Sequence, residues 1–332
     1  MRRLTVVLLV MLLAMLGLAG CGTKSAADVV DDLNDQLNEL TSYQVRANLQ
    51  LHTGQTPQTY DVEVWYKKPH YYRISLRNAE RNITQIILRN DEGVYVLTPE
   101  LKKVFRFDSD WPENQRVFYL YESLVQSIVN DEERKFATDG DRYLFDVVAD
   151  YPNRSLVRQK IWLYKDLAPD RVEVLDADGN VMVSVAFRDF RAGVTFDENA
   201  FDKERNLTGA LLDSVPASTP TPTENLSAVI PTYEPAGVSL VDVAEIDGGK
   251  TVVLKYKGTY TYHLLEERPK AVAASFPYGM PIDLGFTVAV LSEGEKRTLR
   301  WTHGGVDYML TGDLPLEEMV RVAMSTFEAT GK

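Results

Sequence analysis

The chain has a single cysteine and only four histidines in 332 residues. One thiol excludes an internal disulfide framework, a Cys-based zinc site and a CxxC redox pair. His52, His70, His263 and His303 are scattered, with no HExxH pair among them, so no metal or other cofactor is expected. There is no G-x-S-x-G elbow to supply an acyl-transfer nucleophile. None of the 48 acidic residues stands out by spacing as a general acid–base pair, and an enzyme is not expected. Basic charge is short as well, since 36 Lys and Arg against 48 Asp and Glu leave −12. Such a surface repels nucleic acid and anionic lipid headgroups. With 45% apolar and 25% charged residues, wholesale disorder and collagen-like or coiled-coil rods are excluded. There is no internal repeat of short period, and at roughly 150 residues per domain the length suggests two.

A long apolar run occurs once, at the start. Arg2 and Arg3 precede Leu4 to Leu18, a stretch too short to span a bilayer comfortably, and Leu18-Ala19-Gly20-Cys21 follows directly. This segment resembles a bacterial lipobox. The resemblance implies that residues 1–20 are a signal peptide, that Cys21 receives a diacylglyceryl group, and that Cys21 becomes the N-terminus; a plain secretory signal with an incidental cysteine is the alternative. Arg2 and Arg3 are the only charges ahead of Cys21, so a chain starting there carries 34 basic against 48 acidic side chains, or −14. Two or three acyl chains at ~0.8 kcal/mol per buried CH2 anchor firmly. No later segment approaches 18 apolar residues. The mature protein is therefore expected outside the cytoplasm, held by its lipid to the outer face of the cytoplasmic membrane, or to an outer membrane if the host has one.

Residues 21–25 read as a tether. Ser25 and Asp28 form an N-cap pair, and Val29, Val30, Leu33, Leu37 and Leu40 recur at helical spacing, predicting a helix over about 26–40. From Tyr43 the period becomes two. Val45, Ala47, Leu49 and Leu51 alternate with polar residues, as do Tyr60, Val62, Val64 and Tyr66. Similar runs near 71–77, 83–89, 93–98, 102–107, 141–148, 157–164, 171–175 and 181–190 bring the count to about ten strands, joined by turns short enough for an antiparallel meander. Between them, after Pro112, a helix is predicted over about 115–131. A long curled antiparallel sheet must cover its inner face, and a helix packed against it does so economically. At 209–236 prolines at 216, 220, 222, 231 and 235 among Ser and Thr read as a linker. Beyond it, Val238–Ile246, Thr251–Lys257, Tyr260–Leu265, Thr287–Leu291, Lys296–Trp301 and Val306–Thr311 read as strands and Leu316–Glu328 as a closing helix. The fold class is thus mainly β with α, a half-barrel domain over 26–208 and a small α+β domain over 237–332.

Several stretches now carry a resemblance: Leu40-Thr41-Ser42-Tyr43-Gln44-Val45, Trp65-Tyr66-Lys67-Lys68-Pro69-His70-Tyr71-Tyr72-Arg73-Ile74, Asp91-Glu92-Gly93-Val94-Tyr95-Val96-Leu97, and the hairpin from Lys160-Ile161-Trp162-Leu163-Tyr164 to Asp178-Gly179-Asn180, followed by Phe187-Arg188-Asp189-Phe190. Over residues 26–202 the chain resembles the LolA-like superfamily of lipoprotein carriers and lipoprotein-sorting or sporulation-associated proteins. The family implies an incomplete antiparallel barrel with a helical lid, enclosing an apolar cavity for acyl chains. Residues 299–318 resemble a small C-terminal domain of unknown function from anchored bacterial proteins. A tethered chain is ill suited to shuttling between membranes. Local capture, sensing or hand-over of a lipid or lipoprotein fits better, with the membrane and an acyl chain or lipoprotein as partners. A regulatory module that grips a membrane-bound protein partner, as envelope-stress regulators do, is the alternative.

Two motifs read as turns. Ala244 to Thr251 satisfies a relaxed phosphate-loop pattern, but Thr251–Tyr256 is strand-like and no helix follows the Lys-Thr pair. Asp176, Asp178 and Asn180 open like a calcium loop, with Gly179 misplaced and no terminal Glu. The apolar strand residues Tyr43, Leu49, Val64, Tyr72, Ile74, Tyr95, Phe105, Phe145 and Ile161 suit a ligand cavity or a helix-packed core alike. Leu120, Tyr121, Leu124 and Ile128 are the candidate lid, on a helix flanked by Pro112 and the charged run 131–135.

Overall fold

A computed structural model describes residues 24–52, 57–78, 83–107, 110–112, 116–151, 153, 155–213, 226–268, 272–276 and 279–329. Cys21 and the segment before it lie outside the described residues. The chain divides into two units, residues 1–39 and 40–332. In the first, helix α1 (Ala26–Glu39) begins at a reciprocal cap: Ser25 N donates to Asp28 Oδ2 at 2.9 Å, and Asp28 N donates to Ser25 Oγ at 3.3 Å. Val29, Val30 and Leu33 form its apolar stripe.

The second unit opens with β1 (Ser42–Leu51), β2 (Gln58–Lys67), β3 (Tyr71–Asn78), β4 (Thr84–Asn90), β5 (Gly93–Thr98) and β6 (Lys103–Phe107), a meander running outward to one side. Helix α2 (Tyr121–Asn130) follows. Then β7 (Lys135–Asp139), β8 (Arg142–Val148), β9 (Leu156–Tyr164), β10 (Pro169–Asp176) and β11 (Val181–Ala192) return from the far edge, until β11 pairs antiparallel with β1, Leu49 opposite Val185. The sheet stays open, and β7 remains an edge strand. Side chains alternate as their period requires: Tyr43, Val45, Ala47 and Leu49 are buried while Arg46 is exposed. β7 escapes sequence reading because it lies in a charged stretch and is mostly exposed, so it has no apolar alternation.

The helix expected over 115–131 is shorter. Residues 117–120 are Val-Phe-Tyr-Leu, buried on every side, and they form a turn in which Leu120 N donates to Val117 O at 3.1 Å and Val117 N donates to Ser123 Oγ at 3.2 Å. A segment without a polar face gains nothing from helical periodicity. After β11, helix α3 (Lys203–Asp213) runs into the region expected to be linker.

The C-terminal strands are β12 (Val238–Ile246), β13 (Thr251–Gly258), β14 (Tyr262–Glu267), β15 (Val272–Phe276), β16 (Gly279–Asp283), β17 (Val288–Ser292), β18 (Arg297–His303) and β19 (Val306–Gly312), followed by helix α4 (Leu316–Ala329). Seven of them form a second sheet in the order β12-β13-β14-β19-β18-β17-β16. β15 instead pairs in parallel with β6 and becomes the twelfth strand of the first sheet. The two sheets are also clamped by side chains. Gln85 of β4 uses its amide like a strand backbone, accepting from Val288 N at 2.6 Å and donating to Val288 O at 3.3 Å. Lys103 of β6 pairs with Asp307 of β19 and donates to Thr302 Oγ1.

Residues 226–236 lack regular structure but are tied down. Leu226 N donates to Gly249 O at 2.9 Å, Val229 N to Glu266 Oε2 at 2.9 Å, and the Tyr233 hydroxyl to Glu318 Oε2 at 2.7 Å. Both motif-like loops are turns. Asp247, Gly248 and Gly249 take left-handed φ of 54°, 68° and 82° between β12 and β13. Asp176 uses its carboxylate within its own turn, accepting from the Asn180 side-chain amide and from the backbone of Asn180 and Asp178, and these bonds hold its pKa below the usual value.

Candidate functional site

The inner face of the first sheet, which carries α2, is filled. Tyr43, Leu49, Val64, Tyr72, Ile74, Phe145 and Ile161 all lie on it by register and are buried; Phe105 lies on it half-buried. Tyr95 does not join them. It points to the opposite face, in a cluster with Ile86, Leu88, Leu97 and Phe201, because successive strand residues face opposite ways and Val94 and Val96 take the inner positions. Leu120, Tyr121, Leu124 and Ile128 are all 0–1% exposed. At its first turn α2 is held to the sheet by Glu122, which accepts from the Tyr43 hydroxyl at 2.8 Å and the Tyr72 hydroxyl at 3.2 Å. Withdrawal from water pushes the Glu122 pKa up to about 7, against the opposing pull of these bonds. Desolvation likewise raises the Tyr43 and Tyr72 hydroxyls far above their ordinary range.

Open space lies elsewhere. A cavity of about 290 Å³ sits where the end of the first sheet meets the second sheet and its helix. Its apolar lining is Leu51, Phe118, Leu156, Met182, Val183, Leu284, Phe286 and Met324. Gly285 shapes one wall: it has φ +84°, and a Cβ there would approach Phe118 Cζ to 3.2 Å and Leu51 Cδ2 to 3.5 Å. Phe286 is backed by Phe327 of α4, with ring centroids 4.5 Å apart.

Three charged side chains line the cavity among the described residues: Arg116, Asp283 and Arg321. Asp283 is engaged on both oxygens, accepting from the Tyr119 hydroxyl at 2.6 Å on Oδ2 and from Gly285 N at 2.6 Å on Oδ1; desolvation raises its pKa. The Arg321 guanidinium lies 4.0 Å over the Tyr233 ring and 3.5 Å from Glu318. Arg116 donates to the neutral amide oxygen of Gln126. A second cavity, about 280 Å³, takes in Phe105 with Gln85, Lys103, Val288 and Met309. Among the described residues no group of three or more His, Cys, Asp or Glu side chains could hold a metal ion, and no helix is long and apolar enough to cross a membrane.

Of the strand and helix residues expected to line a cavity, none lines the first and Phe105 lines the second. The walls of the first combine the ends of β1, β9 and β11 and one side of α4 with turns and connections far apart in sequence, a meeting that periodicity within one segment does not state. The signal that was present is the apolar run Val117-Phe118-Tyr119, too uniformly apolar for an amphipathic helix.

A family model described as sporulation protein YdcC-like matches residues 1–201. Sporulation protein YdcC of Bacillus subtilis (strain 168) is 40% identical over 332 residues, covering 98% of this chain and 97% of that one. The chain belongs to the YdcC-like sporulation protein family. Its fold is also similar to solved structures, including a chain of the MucA/MucB complex of Pseudomonas aeruginosa, at 15% identity and TM-score 0.32 over 89% of this chain and 98% of that one. Another is a LolA superfamily protein from Nitrosomonas europaea, at 12% identity and TM-score 0.30 over 55% of this chain and 99% of that one. At such identities the likeness concerns fold alone.

Proposed function

We propose that this YdcC-like protein is an extracytoplasmic binding protein, lipid-anchored through Cys21, that takes an acyl chain or another apolar lipoprotein moiety into the cavity between its two sheets. The observation that supports this reading most is the contrast between a filled inner face and an open, mainly apolar cavity beside Phe118, Phe286 and Met324. Its volume of about 290 Å³ falls at the lower edge of the ~300–1,000 Å³ typical of small-molecule sites, which suits one chain rather than several. A dozen buried methylenes at ~0.8 kcal/mol each supply a gross energy of order 10 kcal/mol, so partial burial suffices for useful binding. Native mass spectrometry of the protein purified from its host is expected to find a copurifying lipid that is lost in Met324→Trp. Absence of lipid, with fluorescent fatty acid bound equally by both chains, would contradict the reading.

Anchoring has its own test. Cys21→Ser is expected to leave an unprocessed precursor or release the protein from the membrane fraction, whereas behaviour like wild type in detergent partitioning would end that part of the proposal.

A second reading, a module that grips a membrane-bound protein partner, is favoured by β12. It is an edge strand whose Val241, Val243 and Ile246 are 45–53% exposed. Val243→Lys should abolish such pairing while leaving lipid uptake intact.

A further inference from the structure

The chain as a whole is acidic, yet the charge on the cavity wall runs the other way. Arg116 and Arg321 face it, and the one carboxylate among its described lining residues, Asp283, already accepts bonds from Tyr119 and Gly285 on its two oxygens. Desolvation also favours the neutral form of Asp283. Arg116 has only a neutral amide as its described partner, and Arg321 meets Glu318 at 3.5 Å, the long end of a contact, while Glu318 also accepts from Tyr233. Both guanidiniums therefore keep N–H donors for a further acceptor. Arg321 is 37% exposed with its guanidinium 4.0 Å over the Tyr233 ring, so it stands at the water-facing side of the cavity with its position set in advance.

Resting on the proposed function, we infer that the ligand of this cavity is a single-chain amphiphile with an anionic head, a carboxylate or a phosphate monoester, bound by Arg116 and Arg321 while its chain lies against Phe118, Phe286 and Met324. Planar guanidiniums match both heads by paired hydrogen bonds, and the apolar wall excludes a head of any size from the interior. A trimethylammonium head would meet two like charges. A neutral hydroxyl would accept only an uncharged-acceptor hydrogen bond, where an anionic head takes charge-assisted bonds from both guanidiniums.

The test uses the full chain in membranes and photoreactive dodecyl probes bearing a carboxylate, phosphate monoester, alcohol or trimethylammonium head. The readout is probe crosslinked to peptides containing Phe118 and Met324, above the background of Met324→Trp, which fills the cavity. Carboxylate and phosphate probes are expected to exceed the alcohol by about tenfold, with trimethylammonium at background. Arg116→Gln and Arg321→Gln should bring the anionic probes down to the alcohol level, and Arg321→Lys should keep part of the preference. The ratio of carboxylate to phosphate labelling identifies which head is native. Equal labelling by alcohol and anions, or arginine variants without effect, would overturn the inference and leave the proposed function standing. No labelling above Met324→Trp by any probe would overturn both.

Discussion

The inner face of the first sheet and the cavity at its end are built from the same kinds of side chain, and one is closed while the other is open. On the inner face, strand residues such as Leu49, Ile74 and Ile161 meet the regular apolar side of α2, and Glu122 fastens that helix through Tyr43 and Tyr72. Regular elements that meet along their length interdigitate and leave little space. The cavity is bounded instead by strand ends, Leu51 of β1, Leu156 of β9 and Met182 and Val183 of β11, together with the 116–118 turn, the β8–β9 connection, the β16–β17 turn around Gly285 and one side of α4. The inner face closes where strands meet α2 along its length, and space remains where strand ends meet turns.

The largest effect that would break this comparison is at α2. Leu124→Ala is expected to cost about 2–5 kcal/mol, as truncation of a tightly packed core leucine does, with ligand uptake by the folded fraction unchanged. Leu124→Trp should cost ~1–3 kcal/mol for the opposite reason. Chemical denaturation reads both, and a Leu124→Trp chain of full stability with impaired uptake would restore the lid. Next comes pH. Glu122 in α2 and Glu266 in β14 each have a folded pKa raised by desolvation from 4.5 to about 7. The folded protein keeps these protons where the unfolded chain has released them, so the stability they lend is present below about pH 4.5 and drains away as pH rises through about 7. For half-buried Glu122 the contribution is on the order of 2 kcal/mol. Thermal melts should fall across that window in wild type and more shallowly in Glu122→Gln; an unchanged slope would show that Glu122 does not carry the pH dependence.

Smaller still is the clamp. Gln85→Ala leaves Val288 N and O without their partner and should cost about 1–3 kcal/mol while loosening one sheet on the other. Hydrogen exchange at Val288 is expected to speed up well before that of β1, and equal protection in the variant would show that the clamp is dispensable. The smallest effect is at 226–236. Glu266→Ala removes the acceptor of Val229 N, and limited proteolysis within 226–236, slow in wild type, should quicken severalfold.

How much of this was legible beforehand follows from the same contrast. The capping pair at Ser25 and Asp28, the alternation of β1 and β2, and the hairpin at Asp247 to Lys250 are local events, so their residues announce them. The departure of β15 from its own sheet to pair with β6 is a long-range choice between two available edges, and nothing in Val272–Phe276 states it. Tyr95 reads from sequence as an inner-face residue because a buried aromatic on a strand covered on both faces looks the same from either. The cavity was illegible for the most physical of these reasons: Leu51, Phe118, Phe286 and Met324 become neighbours only after both sheets have formed and docked.

The most direct test of that account is to map where an acyl chain rests. A photoreactive dodecanoate given to the full chain in membranes, followed by peptide mass spectrometry, is predicted to mark Phe118, Phe286 and Met324 and to spare the inner face. Crosslinks concentrated at Leu49, Phe145 or Ile161, with α2 displaced to admit the probe, would contradict it.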